Sequence, residues 1–389
     1  MKKKILFFTG NRSEYYLIFP VLIKFLNDKR FNSTLLKAHN LNYKNEVIDK
    51  VLEEKVIKKY TFNYFLSNKS IYSNLVTFVN IINKSKTFFK KIKPDIIFLY
   101  GDRFETYALA NASFQLNIPI AHIEGGDITN SGLNDDSVRH AITKLSHLHF
   151  PSNEKSKNKI IKLGEEKWRI KNIGFTGNYY KNYKASKKEI ENRFLFNKKI
   201  ILFTLHPEKT SDQNQQKNIK KCMDALQHFS DRKYTVIITG PNDENGNKII
   251  LKQILKYYKR NKPNMIYVEN LGSYYYLGIM SLNKLKNYKI ICVGNSSSII
   301  KETPIYKCPA INVGRRQKGR LQANNVINCD FNTQNIIKSI FKAFSLTFEK
   351  KLKNINNPYH SRNYETNILN FIYKINLKSN KFSIKKEIY

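Results

Sequence analysis

The chain has 389 residues, 41% of them hydrophobic, and a formal net charge of +38. That length is long for one core, so two domains are expected; no apolar run approaches the roughly 20 residues of a membrane span, and the apolar stretch after the basic start runs too soon into Asn11-Arg12-Ser13-Glu14 to read as a secretory signal. The cysteines (Cys222, Cys292, Cys308, Cys329) are scattered without a CxxC pair, which speaks against a disulfide framework or a zinc site and fits a reducing, cytoplasmic compartment.

Short β-branched and aromatic runs alternate with helical patterns along most of the chain. The expected strands are Lys4–Thr9, Leu35–Ala38, Asp95–Tyr100, Ile118–Ile123, His147–Phe150 and Ile170–Ile173, then Lys199–Leu205, Tyr234–Thr239, Met265–Val268, Lys289–Val293, Ala310–Val313 and Val326–Asn328. Each is short and nearly all apolar, as strands covered on both faces must be. Helices are expected at Tyr15–Asn27, Tyr72–Lys91, Glu105–Leu116 and Asn218–Phe229. This alternation implies an α/β protein with parallel sheets. The polar stretch Tyr179–Arg193 marks the boundary, giving domains at 1–178 and 190–345 and a helical tail over 346–389.

In such sheets ligands bind beyond the carboxyl ends of the strands, and the polar clusters of this sequence fall there. Gly10-Asn11-Arg12 brings a guanidinium to a helix start, where an anion is favoured; the plain alternative is a turn capped by Ser13. Gly101-Asp102-Arg103-Phe104-Glu105 offers an acid at a strand end, or else an N-cap at Asp102 with Glu105 completing a capping box. Glu124-Gly125-Gly126 sets a carboxylate against glycines that let backbone approach a ligand. Asp135 and Arg139 are four apart and share a helix face, which alone describes a solvated ion pair. His206, at the first strand end of the second half, could donate to a phosphate. Ser296, Ser297 and Ser298 offer hydroxyl and N–H donors to a diphosphate, and Glu302, a turn later, could take ribose hydroxyls. Gly314-Arg315-Arg316 begins a cationic loop. His140, His147 and His149 show no HxxxH or HExxH spacing and read as structural.

The charge excess invites a nucleic-acid reading. Only 12 of the 68 basic residues are Arg, however, and the Lys residues form no single patch. Six of those Arg (Arg12, Arg103, Arg139, Arg315, Arg316, Arg320) fall in the clusters above. The Lys excess therefore reads as solvated surface, with no nucleic-acid or membrane partner expected.

Taken in order, GDRFE, AHIEGGDIT, DDSVRHAITKLSHLHF, TLHPE, ITGPND, VGNSSS and GRRQKGR resemble the hydrolysing UDP-N-acetylglucosamine 2-epimerases of sialic-acid and legionaminic-acid biosynthesis, over roughly residues 4–330. The resemblance implies a GT-B-like fold, two Rossmann-like domains with sheets facing each other across a cleft, and a C-terminal helix crossing back to the first domain. It implies no metal or redox cofactor, a UDP- or GDP-linked sugar substrate, and a homodimer or homotetramer. The implied reaction is anti elimination of the nucleoside diphosphate to a glycal, then syn hydration to the free 2-epimer. By match to the family pattern, Asp102, Glu124 and Asp135 are the acid/base carboxylates, with Arg139 and His206 beside them. Arg12, His39, Asn242, Asn295, Ser296, Ser297, Ser298, Glu302 and Arg316 bind substrate. The chain departs from the pattern at Ile299 and Lys301, after His39 (Leu41-Asn42-Tyr43-Lys44) and at Tyr15-Tyr16. These departures leave N-acetylglucosamine and N,N'-diacetylbacillosamine both open as the sugar. A GT-B glycosyltransferase shares the scaffold and is the competing enzyme class.

Overall fold

The fold comes from a computed structural model that describes residues 2–38, 48, 52–53, 58–62, 72–129, 134–242, 244–260 and 264–386. The chain divides into two compact units. One comprises Met1–Ile128, Asn134–Gly177 and Tyr359–Tyr389; the other comprises Thr129–Leu133 and Asn178–Pro358.

The first unit contains strands β1 (Lys3–Thr9), β2 (Phe31–Ala38), β3 (Lys58–Phe62), β4 (Ile96–Tyr100), β5 (Ile120–Ile123) and β6 (Leu148–Phe150). They form one sheet in the order β3-β2-β1-β4-β5-β6, each neighbouring pair parallel. Helices α1 (Arg12–Leu26), α2 (Ser73–Ile92), α3 (Phe104–Gln115), α4 (Asp135–Leu145) and α5 (Glu154–Lys162) lie between strands or follow the last. All five residues of β4 are buried, which is why it reads as an unbroken apolar run. Two expectations change here. Ile170–Ile173 makes only an isolated bridge from Ile170 to His149, and the strand at that count is instead β3. Lys58 and Lys59 at its start hide β3 from an apolar pattern, and it pairs on the sheet's edge.

The second unit repeats the plan. Strands β7 (Lys199–Thr204), β8 (Thr235–Thr239), β9 (Met265–Val268), β10 (Lys289–Gly294), β11 (Ala310–Val313) and β12 (Val326–Cys329) run in the order β12-β11-β10-β7-β8-β9, again all parallel. Helices α6 (Lys187–Arg193), α7 (Asp212–Ser230), α8 (Asn247–Arg260), α9 (Gly272–Ser281), α10 (Ser298–Lys301), α11 (Thr333–Phe344) and α12 (Leu346–Lys351) accompany them. In each unit the first and fourth strands are neighbours whose connections depart in opposite directions. That opens a topological switch point between β1 and β4, and another between β7 and β10. Tyr179–Arg193 is ordered: a 3₁₀ segment ends at Asn182, and α6 starts from a capping box made by Ser186 and Glu189.

Helices α13 (Tyr364–Lys374) and α14 (Asn380–Ser383) belong to the first unit. Arg169, fully buried, anchors this last segment: its guanidinium donates to the carbonyls of Lys381, Phe382 and Ile384 at 2.9–3.1 Å and its Nε to Glu166. Lys385 reaches the buried Glu165, which His149 also contacts at 3.1 Å. Burial alone would raise the Glu165 carboxyl, but bonds to His149 and Lys385 hold it at about 2. Arg169→Met should therefore lower the unfolding free energy by about 2–4 kcal/mol. Urea denaturation measures that loss, and trypsin should cut near Lys381 faster than in wild type.

Candidate active site

At the first unit's switch point Glu14 holds the turn after β1 and lies against the turn after β4. Its Oε2 accepts from the Gly10 N–H at 2.8 Å, and a carbon added at Gly101 would stand 3.4 Å from its Oε1. The carboxyl is pushed up to about 8, chiefly by burial; Arg103 opposes and Glu105 adds to the rise. Asn11, not Ser13, caps α1, its side chain accepting from the Glu14 N–H. Arg12 opens that helix, but its side chain, and all of His39, lie outside the described residues.

Asp102 stands one residue before the α3 cap position, so the capping-box reading does not hold; Glu105 instead takes the Arg103 guanidinium. Asp102 ion-pairs with Arg139, a nearly fully buried side chain that also donates to Asp136 at 2.8 Å and to the Asp127 carbonyl at 2.8 Å. Arg139 is thus no solvated surface cation, and on its own helix it pairs with Asp136 at i−3. Asp135 opens α4 half-exposed beside them. His122 sits behind this group. Burial drops its pKa to about 3, so the ring is neutral, and its Nε2 proton goes to the Gly101 carbonyl at 2.7 Å, fixing the turn that carries Asp102.

Glu124, at the end of β5, is buried and has φ of +62°. A left-handed glutamate costs on the order of 1 kcal/mol, and strain of this kind collects at functional positions. Its carboxylate faces the Tyr100 phenol, which burial first and Glu124's charge second push well above the usual range. The two following glycines serve the protein's own packing rather than a ligand's approach. A carbon on Gly126 would come within 2.3 Å of the Ser156 carbonyl, and one on Gly125 within 2.8 Å of His122 Nδ1.

In the second unit Asn295 joins the turns after β7 and β10. Its side chain accepts from the His206 N–H at 2.7 Å and donates to the His206 carbonyl at 2.9 Å. The strand ends approach so closely here that a carbon on Gly294 (φ +139°) would sit 1.8 Å from the Thr204 carbonyl oxygen. Burial, reinforced by the Arg316 charge, holds the His206 pKa well below normal. Its Nδ1 accepts from the Asn242 N–H at 3.1 Å, so the neutral ring carries its proton on Nε2.

Arg316 pairs with Glu244 at 2.9 Å, while its buried Nε has no partner among the described residues. Glu208 holds the cationic loop by accepting from the Arg315 and Arg316 N–H groups at 2.9 and 3.0 Å. Ser296 and Ser297 precede α10 and Ser298 opens it; this single-turn helix has little dipole of its own, so the hydroxyls are its main donors. Glu302 is raised by burial to about 7, opposed by Lys301. Each of these residues follows a strand of its own sheet: Asp102 and Glu124 β4 and β5, His206 and the serines β7 and β10.

A sequence profile for a family described as UDP-N-acetylglucosamine 2-epimerase matches residues 26–373. The chain belongs to this epimerase family. It is 35% identical over 347 residues (85% of both chains) to the GDP/UDP-N,N'-diacetylbacillosamine 2-epimerase (hydrolyzing) of Campylobacter jejuni. It is 30% identical over 359 residues (89% of this chain, 90% of the relative) to the UDP-N,N'-diacetylbacillosamine 2-epimerase (hydrolyzing) of Legionella pneumophila. Its fold matches the crystal structure of the Neisseria meningitidis UDP-GlcNAc 2-epimerase bound to UDP-GlcNAc with a TM-score of 0.78 at 24% identity, over 96% of this chain and 100% of that one. The epimerase therefore has the GT-B-like fold of two Rossmann-like units. No described helix is long and apolar enough to cross a membrane. Among the described residues no group of three His, Cys, Asp or Glu side chains is arranged to hold a metal.

Sequence spacing assigns no role to Glu14, Glu208 and His122. Their partners lie across strand ends, a relation that no local period reveals. The buried acid Glu14 also sets a pH dependence. Its folded pKa lies above the ordinary 4.5, so its contribution to stability is complete below that value and is lost as pH rises through about 8. Glu14→Gln should remove up to about 1.4 kcal/mol per pH unit of that decline, read from urea unfolding at pH 5, 6.5 and 8; parallel slopes in variant and wild type would contradict a buried neutral acid.

Proposed function

We propose that this epimerase is of the hydrolysing type: it converts a nucleotide-linked 2-acetamido sugar to nucleoside diphosphate and the free 2-epimer, for nonulosonic acid biosynthesis. The observation that carries this reading is the acid group around Arg139, where Asp102 and Asp136 share one buried guanidinium, with the strained Glu124 at the end of the neighbouring strand β5. Elimination requires a base at the carbon bearing the acetamido group. A carboxylate aimed by a buried arginine is held in one geometry for that task. Asp102, Glu124 and Asp135 then divide the removal of that hydrogen and the later delivery of a proton and water.

Departure of the diphosphate requires donors that are in place before charge develops. The Nε2 proton of neutral His206, the Arg316 guanidinium and the Ser296–Ser298 hydroxyls supply them, and Asn242 fixes the His206 tautomer. Glu302, near half-ionised at neutral pH, bonds ribose hydroxyls as acceptor or donor. N,N'-diacetylbacillosamine is favoured over N-acetylglucosamine as the sugar, because the relatives at 30% identity and above carry that substrate in their names. The active form is a homo-oligomer, and the reaction needs no metal.

A panel of UDP- and GDP-linked N,N'-diacetylbacillosamine and N-acetylglucosamine, without acceptor, tests this reading by NMR of the products. The expected products are nucleoside diphosphate and a free 2-epimerised sugar, with deuterium at the inverted carbon in deuterated water. Retention of the original hydrogen would sink the elimination route, and turnover only with an added acceptor would favour a glycosyltransferase. Asp102→Asn and Glu124→Gln should each lower kcat by at least about a hundredfold; Asp102→Asn should also lower the melting temperature, because it removes a charge partner of buried Arg139. EDTA should leave the rate unchanged.

A further inference from the structure

Arg316, a donor to the departing diphosphate in the reading above, already holds an anion. Its Nη2 donates to Glu244 Oε1 at 2.9 Å, and its backbone N–H donates to Glu208 at 3.0 Å. The two carboxylates do different work. Glu208 fixes the main chain of the loop, since it also accepts from the Arg315 N–H at 2.9 Å. Glu244 holds only the guanidinium. The Arg316 side chain is 14% exposed, whereas that of Glu244 is 32% exposed. The buried Arg316 Nε has no partner among the described residues. A guanidinium carries five N–H donors in a planar fork, and one carboxylate oxygen fills few of them. A diphosphate, with several charged oxygens, can fill more.

Glu244 stands in the turn between β8 and α8, which also touches His206. The Asn242 N–H donates to His206 Nδ1 at 3.1 Å, and the Asn242 side-chain amide donates to Glu244 Oε1 at 3.3 Å. The Glu244 N–H closes the turn onto the Asn242 carbonyl at 2.9 Å. One short turn thus fixes the His206 tautomer through its backbone and occupies Arg316 through a side chain. An anion can enter without moving that backbone; only the Glu244 carboxylate has to let go.

We infer that Glu244 is a resident counterion of Arg316, displaced by an incoming diphosphate and restored when the diphosphate leaves, and that it thereby sets the affinity of the site for its nucleotide. The inference rests on the reading of Arg316 as a diphosphate ligand. An ion pair with one partner a third exposed is weak, because water and salt screen it. A diphosphate brings more charge and more acceptors than one carboxylate, so the exchange favours the ligand. A competitor of this kind suits an enzyme that must release nucleoside diphosphate after every turnover, since product held too tightly slows the next cycle.

The test uses UDP and GDP as probes, titrated calorimetrically into the full chain as wild type, Glu244→Gln, Arg316→Met and the double variant. Glu244→Gln keeps the shape and an acceptor oxygen but removes the charge. It should bind the preferred nucleotide about threefold to fivefold more tightly at low salt, and the gain should shrink at about 0.5 M salt. Arg316→Met should bind about tenfold more weakly than wild type, and adding Glu244→Gln to it should change nothing further. Unchanged or weaker binding in Glu244→Gln would make the carboxylate a bystander or a guide for Arg316, and would overturn the exchange while leaving the nucleotide site intact. A gain of the same size in the Arg316→Met background would overturn it as well, because it would come from repulsion through space and not from release of the guanidinium. If Arg316→Met binds as wild type does, or the wild type binds neither nucleotide, the diphosphate reading fails, and the exchange fails with it.

Discussion

Both units depend on a buried polar side chain set just where the connections of two neighbouring strands diverge. A doubly wound sheet opens at that point, because the helix after one strand goes to one face and the helix after its neighbour to the other. The backbone groups exposed there must be satisfied by something. Asn295 does this in the second unit, taking the N–H and giving to the carbonyl of His206, while Gln317 bonds the Asn295 carbonyl in turn. In the first, Glu14 takes the Gly10 N–H as an acid that burial holds toward the neutral form. Asp102, His206 and the serines follow these strand ends directly, so their placement is inherited from them.

Burial then decides the chemistry of the titratable groups. Glu14 and Glu302 are held toward the neutral form, and His122 and His206 are kept uncharged. Arg139 is the counterweight, a buried cation that Asp102, Asp136 and a carbonyl satisfy together. Removing one partner of such a group leaves a buried charge uncompensated, which is costly. The arrangement is thus rigid as well as polar, as a site that acts without reorganising must be.

The parallel α/β architecture was legible because strands such as β4 and β9 are apolar from end to end. It failed at the sheet edge, where β3 begins with two lysines and where the apolar Ile170–Ile173 stretch makes a single bridge. The site was legible as clusters at strand ends, but its wiring was not. Sequence spacing sees i,i+3 and i,i+4 neighbours, so it found Arg139 with the acids of its own helix and missed Asp102, which is 37 positions away. It likewise read Gly125 and Gly126 as room for a ligand, where the room is taken by His122 and the α5 backbone.

The last segment of the chain carries a consequence of its own. Lys3 Nζ donates to the carbonyls of Ile372, Tyr373 and Ile375, and Arg169 binds those of Lys381, Phe382 and Ile384. Residues at the start of the first unit thus wait for partners made after the whole of Asn178–Pro358 has been translated. On the ribosome the second unit is complete while the first still lacks α13 and α14. The order in which the two mature is therefore the reverse of the order in which they begin.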